Sequence, residues 1–350
     1  MIKGVDMKTR KMISIIALAV TAFFLGVSPL YGGDPARIGT AGGDQLLVPV
    51  GARDLGMGGS NVAFSSGLDA IYWNPAGFSS QKSNAMGTFS TMSVFSDVNV
   101  NYLALGFNAG RMGHVGFSIK AFDFGDIPLT TNEDYNGSSG ATFSPSFMTM
   151  AVTYSRKVND AIQVGLTGKL VNESVPRASA SAFAFDVGIQ YHELGGFNGL
   201  SMGLVVKNIG TNLQYGGSAF LIQQSGTGAA SFVEIPTASH QLPANIELGV
   251  GYRRDINEQN SIVFNGNFVS NNFGNDDFKF GAEYSYSDLI FLRGGYLATQ
   301  KIDSEDQLYR FTLGVGLNYN YGGTNLALDY AFRDSQYFDG NNLFSLTVGF

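Results

Sequence analysis

The sequence predicts an all-β fold, a transmembrane antiparallel β-barrel of about fourteen strands whose N-terminal part forms a plug. Three observations support this: the composition, a residue alternation of period two from Ala85 onward, and an irregular segment before Ala85. The 350 residues include 46 Gly, 28 Phe and 16 Tyr, and only 14% are charged. Such a composition is unusual for a soluble domain and suits a wall with one face in lipid.

Residues 1–33 are predicted to be a signal peptide with an approximate cleavage site. An apolar stretch at residues 12–25 follows a basic start that contains Lys3, Lys8, Arg10 and Lys11. The stretch is too short for a spanning helix, and Pro29 and Gly32 follow it at once, which disfavours a membrane anchor. The chain is therefore expected to be exported from the cytoplasm.

Residues 34–84 are predicted to form the plug, or hatch. The stretch from Arg53 to Phe78 holds the only Trp of the chain and does not alternate. A barrel of this width needs filling, so the stretch is either a static filler or a hatch that gates the lumen or supports a binding face. Its glycines permit close backbone approach, and its proline fixes the local backbone. The plug motif consists of Arg53, Gly56, Gly58, Gly59, Trp73, Asn74, Pro75 and Gly77.

Residues 85–350 are predicted to be the barrel. In residues 308–320 one face carries Tyr309, Phe311, Leu313, Val315, Leu317 and Tyr319, and the opposite face is polar or Gly. An apolar face with aromatic residues at both ends is typical of a membrane strand. The predicted strands are 85–95, 99–109, 112–125, 145–157, 160–173, 180–193, 200–213, 242–254, 259–271, 275–286, 288–299, 308–320, 323–334 and 340–350.

The connections between these strands predict their orientation in the membrane. Short turns follow the even-numbered strands, whereas the connections that follow the odd-numbered strands include long loops at residues 126–144 and 214–241. Bacterial outer-membrane barrels place short turns in the periplasm and long loops outside. We therefore expect a multi-pass β-barrel in the bacterial outer membrane, with outer-membrane lipid as one partner. The terminal Phe350 resembles the assembly signal of such barrels.

Charged residues fall on the inward-facing positions of several strands. The lumen charges we single out are Lys120, Asp186, Lys207, Glu247, Glu283 and Arg310; Lys169, Lys279, Arg293 and Asp329 share these faces. They form either a selectivity path for a polar or anionic solute or a set of ion pairs that fills the barrel. Buried charges need partners and both signs are present, which favours ion-paired filling.

Nothing in the sequence predicts an enzyme, a cofactor or a metal site. The three histidines show no metal-ligand spacing, and the absence of Cys excludes thiolate sites. Ser118 and His114 lie too far apart along one strand for a hydrolase pair. The net charge of −7 argues against nucleic acid as a partner.

Two segments of the sequence resemble known outer-membrane families. Residues 53–59, Arg-Asp-Leu-Gly-Met-Gly-Gly, and residues 70–77, Ala-Ile-Tyr-Trp-Asn-Pro-Ala-Gly, resemble the N-terminal signature of the PorV/PorQ family. Residues 206–210, Val-Lys-Asn-Ile-Gly, look like a strand end common in that group. The group is similar in fold to the FadL fatty-acid transporters, which carry a similar Asn-Pro-Ala-Gly segment.

The resemblance implies two functions. A PorV-like barrel would be a protein-binding component of type IX-like secretion or surface attachment, with secretion-machine subunits or secreted cargo as partners. The alternative is a FadL-like transporter of hydrophobic small molecules. An apolar pocket at Trp73 and Phe78 with a side opening would favour transport, whereas a packed interior with ordered apolar loops would favour protein binding.

Overall fold

Fourteen antiparallel strands form a closed barrel in the computed structural model of the protein. The structure describes residues 35–81, 83–95, 98–224, 231–303 and 305–350; the predicted signal peptide lies outside these residues. The strands are β1 (Ala85–Ser93), β2 (Asn99–Asn108), β3 (His114–Asp123), β4 (Ser146–Lys157), β5 (Ile162–Val175), β6 (Ala178–Tyr191), β7 (Leu200–Gly210), β8 (Asn245–Asp255), β9 (Asn260–Asn271), β10 (Asp277–Tyr286), β11 (Ile290–Thr299), β12 (Phe311–Tyr321), β13 (Thr324–Arg333) and β14 (Asn341–Gly349).

Each strand pairs with its sequence neighbour, and β1 pairs with β14 to close the barrel. The prediction of a closed antiparallel barrel with about fourteen strands is therefore confirmed. Closure leaves no strand edge unpaired, which a wall in contact with lipid requires.

The two faces of the wall alternate as the sequence predicts. In β12 the side chains of Phe311, Leu313 and Val315 are exposed on the outside, while Thr312 is buried on the inside. The same alternation runs through β6, from Phe183 to Ile189. An exposed apolar exterior over all fourteen strands is stable in lipid and not in water, so the chain is a multi-pass outer-membrane barrel.

Tyr309 departs from the predicted register. The sequence places it on the lipid face, but β12 begins two residues later and Tyr309 lines the interior. The Gln307 side chain donates to the carbonyl oxygens of Leu297 (2.7 Å) and Tyr309 (2.5 Å), so it satisfies backbone groups that strand pairing would otherwise satisfy. The alternation in the sequence therefore begins two residues before the strand does.

The two ends of the barrel differ in the length of their connections. We call the end with residues 109–113, 158–161, 192–199, 256–259, 287–289 and 322–323 the turn end. The opposite, loop end carries the long connections 124–145 and 211–244. The first long loop contains one small strand pair, and the second contains two. By analogy with other outer-membrane barrels, the loop end faces outward.

The N-terminal segment, residues 35–81 and 83–84, packs against the inner face of the wall. It contains two short α-helices, α1 (Ala52–Gly56) and α2 (Ala70–Trp73), and 3-10 turns at Pro35–Arg37, Asp44–Leu47 and Pro75–Ser80. Most of its apolar side chains are buried, and its residues share all three apolar clusters with the wall. In the part of the chain that the structure describes, no helix is long and apolar enough to span a membrane.

Candidate functional site

Inward-facing glycines of the wall accommodate the N-terminal segment. A Cβ added at Gly165 of β5 would lie 2.2 Å from the carbonyl carbon of Pro75, and one at Gly188 of β6 would lie 2.0 Å from Asn74 Oδ1. On the far side of the barrel, a Cβ at Gly295 of β11 would lie 2.2 Å from the backbone nitrogen of Gly58. The abundant glycines therefore allow two backbones to meet where a side chain would separate them.

The motif glycines serve a similar purpose within the segment. Gly58 and Gly59 both have a φ of +68°, which disfavours residues with a Cβ. A Cβ at Gly59 would lie 2.5 Å from the Trp73 ring, and one at Gly77 would lie 1.8 Å from a backbone oxygen. Gly56 faces the backbone of Gly314 in β12, where an added Cβ would lie 3.1 Å from its Cα.

Asn74 connects three parts of the structure through its side-chain amide. Its Oδ1 accepts from the backbone N–H of Ala76 (3.2 Å) and so caps the following 3-10 turn. Its Nδ2 donates to the carbonyl oxygens of Val62 (3.0 Å) and of Ile189 in β6 (3.2 Å). The neighbouring Trp73 donates from Nε1 to the Val50 carbonyl oxygen (2.9 Å).

Asp54 is a buried carboxylate that the sequence analysis did not single out. It accepts hydrogen bonds from Asn61 Nδ2 (2.7 Å) and from the Ser65 hydroxyl. The adjacent Arg53 lies 3.6 Å from Glu283 of β10 and donates to the Ser66 hydroxyl (2.9 Å). These interactions link the loop between α1 and α2 to the wall. The sequence does offer a signal for this role, because Asp54 is an acidic residue between Arg53 and Leu55, in a stretch that is otherwise apolar or Gly.

Most of the charged residues on the inner face form ion pairs. Lys169 and Asp186 lie 2.5 Å apart, and Lys207 lies 2.7 Å from Glu247. Lys279 shares Glu247 at 3.7 Å. A second group joins Arg293 to Glu283 (2.7 Å) and Asp329 (2.5 Å).

The other two predicted lumen charges are placed differently. Lys120 is buried and donates to the Val48 carbonyl oxygen (2.9 Å), with its Nζ 5.0 Å from the centre of the Tyr72 ring. Within the described residues no carboxylate lies within 4.0 Å of it. Arg310 lies at the loop end, partly exposed, 3.9 Å from Asp334.

A β-bulge in β7 directs two successive side chains into the interior. The pairing register between β6 and β7 shifts between Phe185 and Val187, and Asn208 has a φ of +60°. Lys207 and Asn208 are consequently both buried. Asn208 donates from its backbone N–H to Asp186 (2.8 Å) and accepts from Lys169 (2.8 Å), so these polar groups stabilise the bulge.

A cavity of about 290 Å³ lies above α2 at the loop end. Tyr72, Trp73 and Leu55 lie at its inner end, and Leu47 and Phe273 at its outer end. Between them, charged side chains of β5, β7, β8, β10 and β13 and of the loop before β12 line the wall. Phe78, which the sequence analysis placed beside Trp73 in a possible pocket, is fully buried against Gly106 and Gly116 and does not line this cavity.

A second cavity of about 30 Å³ lies next to the first. Leu46, Tyr72 and Lys169 line both. Tyr72 thus borders both cavities and is held by a hydrogen bond to the Leu46 carbonyl oxygen (3.2 Å). Trp73 was singled out from the sequence, whereas its neighbour Tyr72 was not.

Phe350 lies at the turn end, where the barrel closes. Its backbone N–H donates to the Ala85 carbonyl oxygen (2.9 Å), and its own carbonyl oxygen accepts from Asn84 (2.7 Å). Its ring is exposed. In the described part of the chain no group of histidines and carboxylates could hold a metal ion.

Two solved toluene transporters share this fold. The Pseudomonas putida toluene transporter TodX matches with a TM-score of 0.52 at 13% identity, covering 86% of this chain and 97% of that one. The Ralstonia pickettii toluene transporter TbuX matches with a TM-score of 0.51 at 15% identity, with the same coverage. A Pseudomonas aeruginosa FadL homologue matches less well, with a TM-score of 0.46 at 11% identity, covering 86% and 98%. No family model matches the chain, and the search of curated proteins returns no match.

This chain thus shares the fold of the toluene transporters TodX and TbuX, and its own strands form a closed antiparallel barrel of fourteen. The specific resemblance to the PorV/PorQ family receives no support from the comparisons.

Proposed function

We propose that this protein is an outer-membrane channel for hydrophobic small molecules, with the N-terminal segment as its hatch. The observation that carries the proposal is the cavity at the loop end, whose inner end is formed by Tyr72 and Trp73 of that segment. The shared fold with two toluene transporters supports it. In this proposal the cavity receives the solute, and the segment below it moves to let the solute pass.

Filling the cavity tests this proposal. Ala244 lines it from a loop, where a larger side chain does not disturb strand pairing. We expect Ala244→Phe to abolish most of the uptake of radiolabelled toluene by host cells that lack a barrel of this class. Heat-modifiable gel mobility would show that the variant still folds.

Ala141→Phe is the matched control, because Ala141 is exposed in the other long loop and does not line the cavity. Its uptake is expected to equal that of the wild type. Equal uptake by wild type, Ala244→Phe and empty host cells would rule out the channel function.

A second candidate is the PorV-like role in secretion or surface attachment. Its support is the loop 211–244, where Leu221, Ile222, Phe232, Val233 and Ile235 are exposed. Affinity isolation from gently solubilised outer membranes, followed by mass spectrometry, tests it. Recovery of secretion-machine subunits or secreted proteins with a shared C-terminal domain would favour this role. Recovery of small hydrophobic molecules without such proteins would count against it.

A further inference from the structure

Positive charge is concentrated around the cavity at the loop end. Five cations line it, namely Lys169, Lys207, Lys279, Arg310 and Arg333, whereas Glu247 and Asp277 are the two carboxylates that line it. Lys169 and Arg310 have partners just outside the lining, in Asp186 and Asp334. Lys207 and Lys279 share the single carboxylate of Glu247.

Arg333 is the cation whose charge is least compensated. Its Nε and one Nη donate to Asn341 Oδ1 at 3.0 and 2.7 Å, and its guanidinium carbon lies 3.6 Å from the centre of the Tyr309 ring. Both partners are neutral. In the described part of the chain no carboxylate lies within 4.0 Å of Arg333. A guanidinium without a counter-ion in a partly buried site is costly unless an anion reaches it.

Flat apolar surfaces complete the lining. Tyr72 and Trp73 meet edge to face with ring centres 5.0 Å apart. Lys207 Nζ lies 5.1 Å from the Tyr72 ring centre and 5.3 Å from the Trp73 ring centre. Cations and aromatic faces therefore lie side by side. A volume of about 290 Å³ holds a compact molecule rather than an extended alkyl chain.

We propose that the loop-end cavity binds a compact aromatic carboxylate, whose charge is taken up by Arg333 and the Lys207–Lys279 pair and whose ring packs against Trp73. The proposal rests on the proposed channel function, because it names the substrate class of the same cavity. With Asp186 and Asp334 counted, the five cations of the cavity face four carboxylates, which leaves one excess positive charge for an anionic ligand to neutralise.

The test is a titration of the detergent-solubilised protein with benzoate and with benzyl alcohol, a neutral molecule of similar size. Trp73 is the only Trp in the chain and lines the cavity, so its fluorescence, excited selectively over that of the tyrosines, reports on this site. We expect benzoate to bind at least about tenfold more tightly than benzyl alcohol, since a charge-assisted hydrogen bond is worth roughly 1.5–3 kcal/mol.

Arg333→Gln is expected to weaken benzoate binding about tenfold and to leave benzyl alcohol binding unchanged. Arg156→Gln is the matched control, because Arg156 is exposed near the turn end of β4 and does not line the cavity. It should leave both affinities as in the wild type. Equal affinity for the two ligands, or equal loss of benzoate binding in both variants, would overturn the proposal.

Binding and uptake separate this proposal from the channel function. If benzoate does not bind preferentially but Ala244→Phe still blocks toluene uptake, the carboxylate site is wrong and the channel stands. If benzoate binds through Arg333 but no solute crosses the membrane, the site stands and the channel function fails.

Discussion

At the scale of single residues, Asn74 explains why the Asn-Pro motif has its composition. One amide accepts from Ala76 and donates to Val62 and Ile189. A carboxylate would lose the donors, and a hydroxyl would have too few, so only an amide of this length satisfies all three partners. Pro75 contributes a fixed φ and lies against the wall at Gly165.

Leu313 tests the lipid-facing register of a single residue. Its side chain is 58% exposed on the outer face of β12, between the outward-facing Phe311 and Val315. Leu313→Arg should lower the free energy of unfolding by about 2–4 kcal/mol, because a guanidinium in the apolar band of the bilayer is poorly solvated. A denaturant titration in phospholipid vesicles, followed by Trp73 fluorescence, measures this change.

Tyr321 provides the control on the same strand and the same face. It ends β12 at the turn end, where side chains reach the interface. Tyr321→Arg should therefore lower the free energy of unfolding by only about 0–1 kcal/mol. A similar loss for both variants would contradict the assigned membrane depth.

At the scale of elements, the contact between β5 and the 3-10 turn Pro75–Ser80 is a backbone-to-backbone contact. Gly165→Ala would place a methyl group 2.2 Å from the Pro75 carbonyl carbon, so one of the two backbones must move. We expect a loss of roughly 1–3 kcal/mol in stability and faster cleavage of the N-terminal segment by added protease. Timed proteolysis with N-terminal sequencing measures the second effect.

Gly168 of the same strand is the control. An added Cβ there would lie 3.7 Å from the Phe185 ring, an ordinary contact. Gly168→Ala should leave the cleavage rate unchanged. Equal cleavage rates for the two variants would show that the close approach of Gly165 to Pro75 does not hold the N-terminal segment against the wall.

The elements also show what sequence patterns can and cannot predict. Alternation predicts the fourteen strands, because one face must be apolar and a shift by one residue would move charges into lipid. It fails at Tyr309, where the alternating pattern begins before the strand does. It also overlooks the bulge at Lys207 and Asn208, although two successive polar residues in an alternating strand are a signal for one.

At the scale of the whole molecule, the terminal residue lies at the seam of the barrel. Phe350 exchanges backbone hydrogen bonds with residues 84 and 85, next to the pairing of β1 with β14. Deleting Phe350 should slow outer-membrane assembly, whereas Phe350→Tyr, which keeps an aromatic terminus, should not. Pulse-chase labelling with heat-modifiable mobility measures the rate. Assembly of the truncated chain at the wild-type rate would show that the terminal aromatic is dispensable.

The cavity belongs to this scale too, and the sequence could not predict it. Its lining comes from the N-terminal segment, from eight strands and from three loops, and only closure brings them together. Inward charges could be assigned from alternation alone. The pairing of these charges could not be assigned, because it depends on which strands face each other across the lumen. Lys207 and Lys279 share one carboxylate, whereas Arg333 has none.

The hydrogen bonds of the N-terminal segment have a consequence for the order of folding. Ser155 of β4 donates to Ala76, Thr312 of β12 donates to Gly56, and the N–H of Ala52 donates to Ser345 of β14. Because strands on opposite sides of the barrel bind the segment, it would be difficult to insert it into a barrel that has already closed. We infer that it lies on an open, curved sheet first and that the last strands fold over it. Contacts this distant in sequence make such a closing step slow.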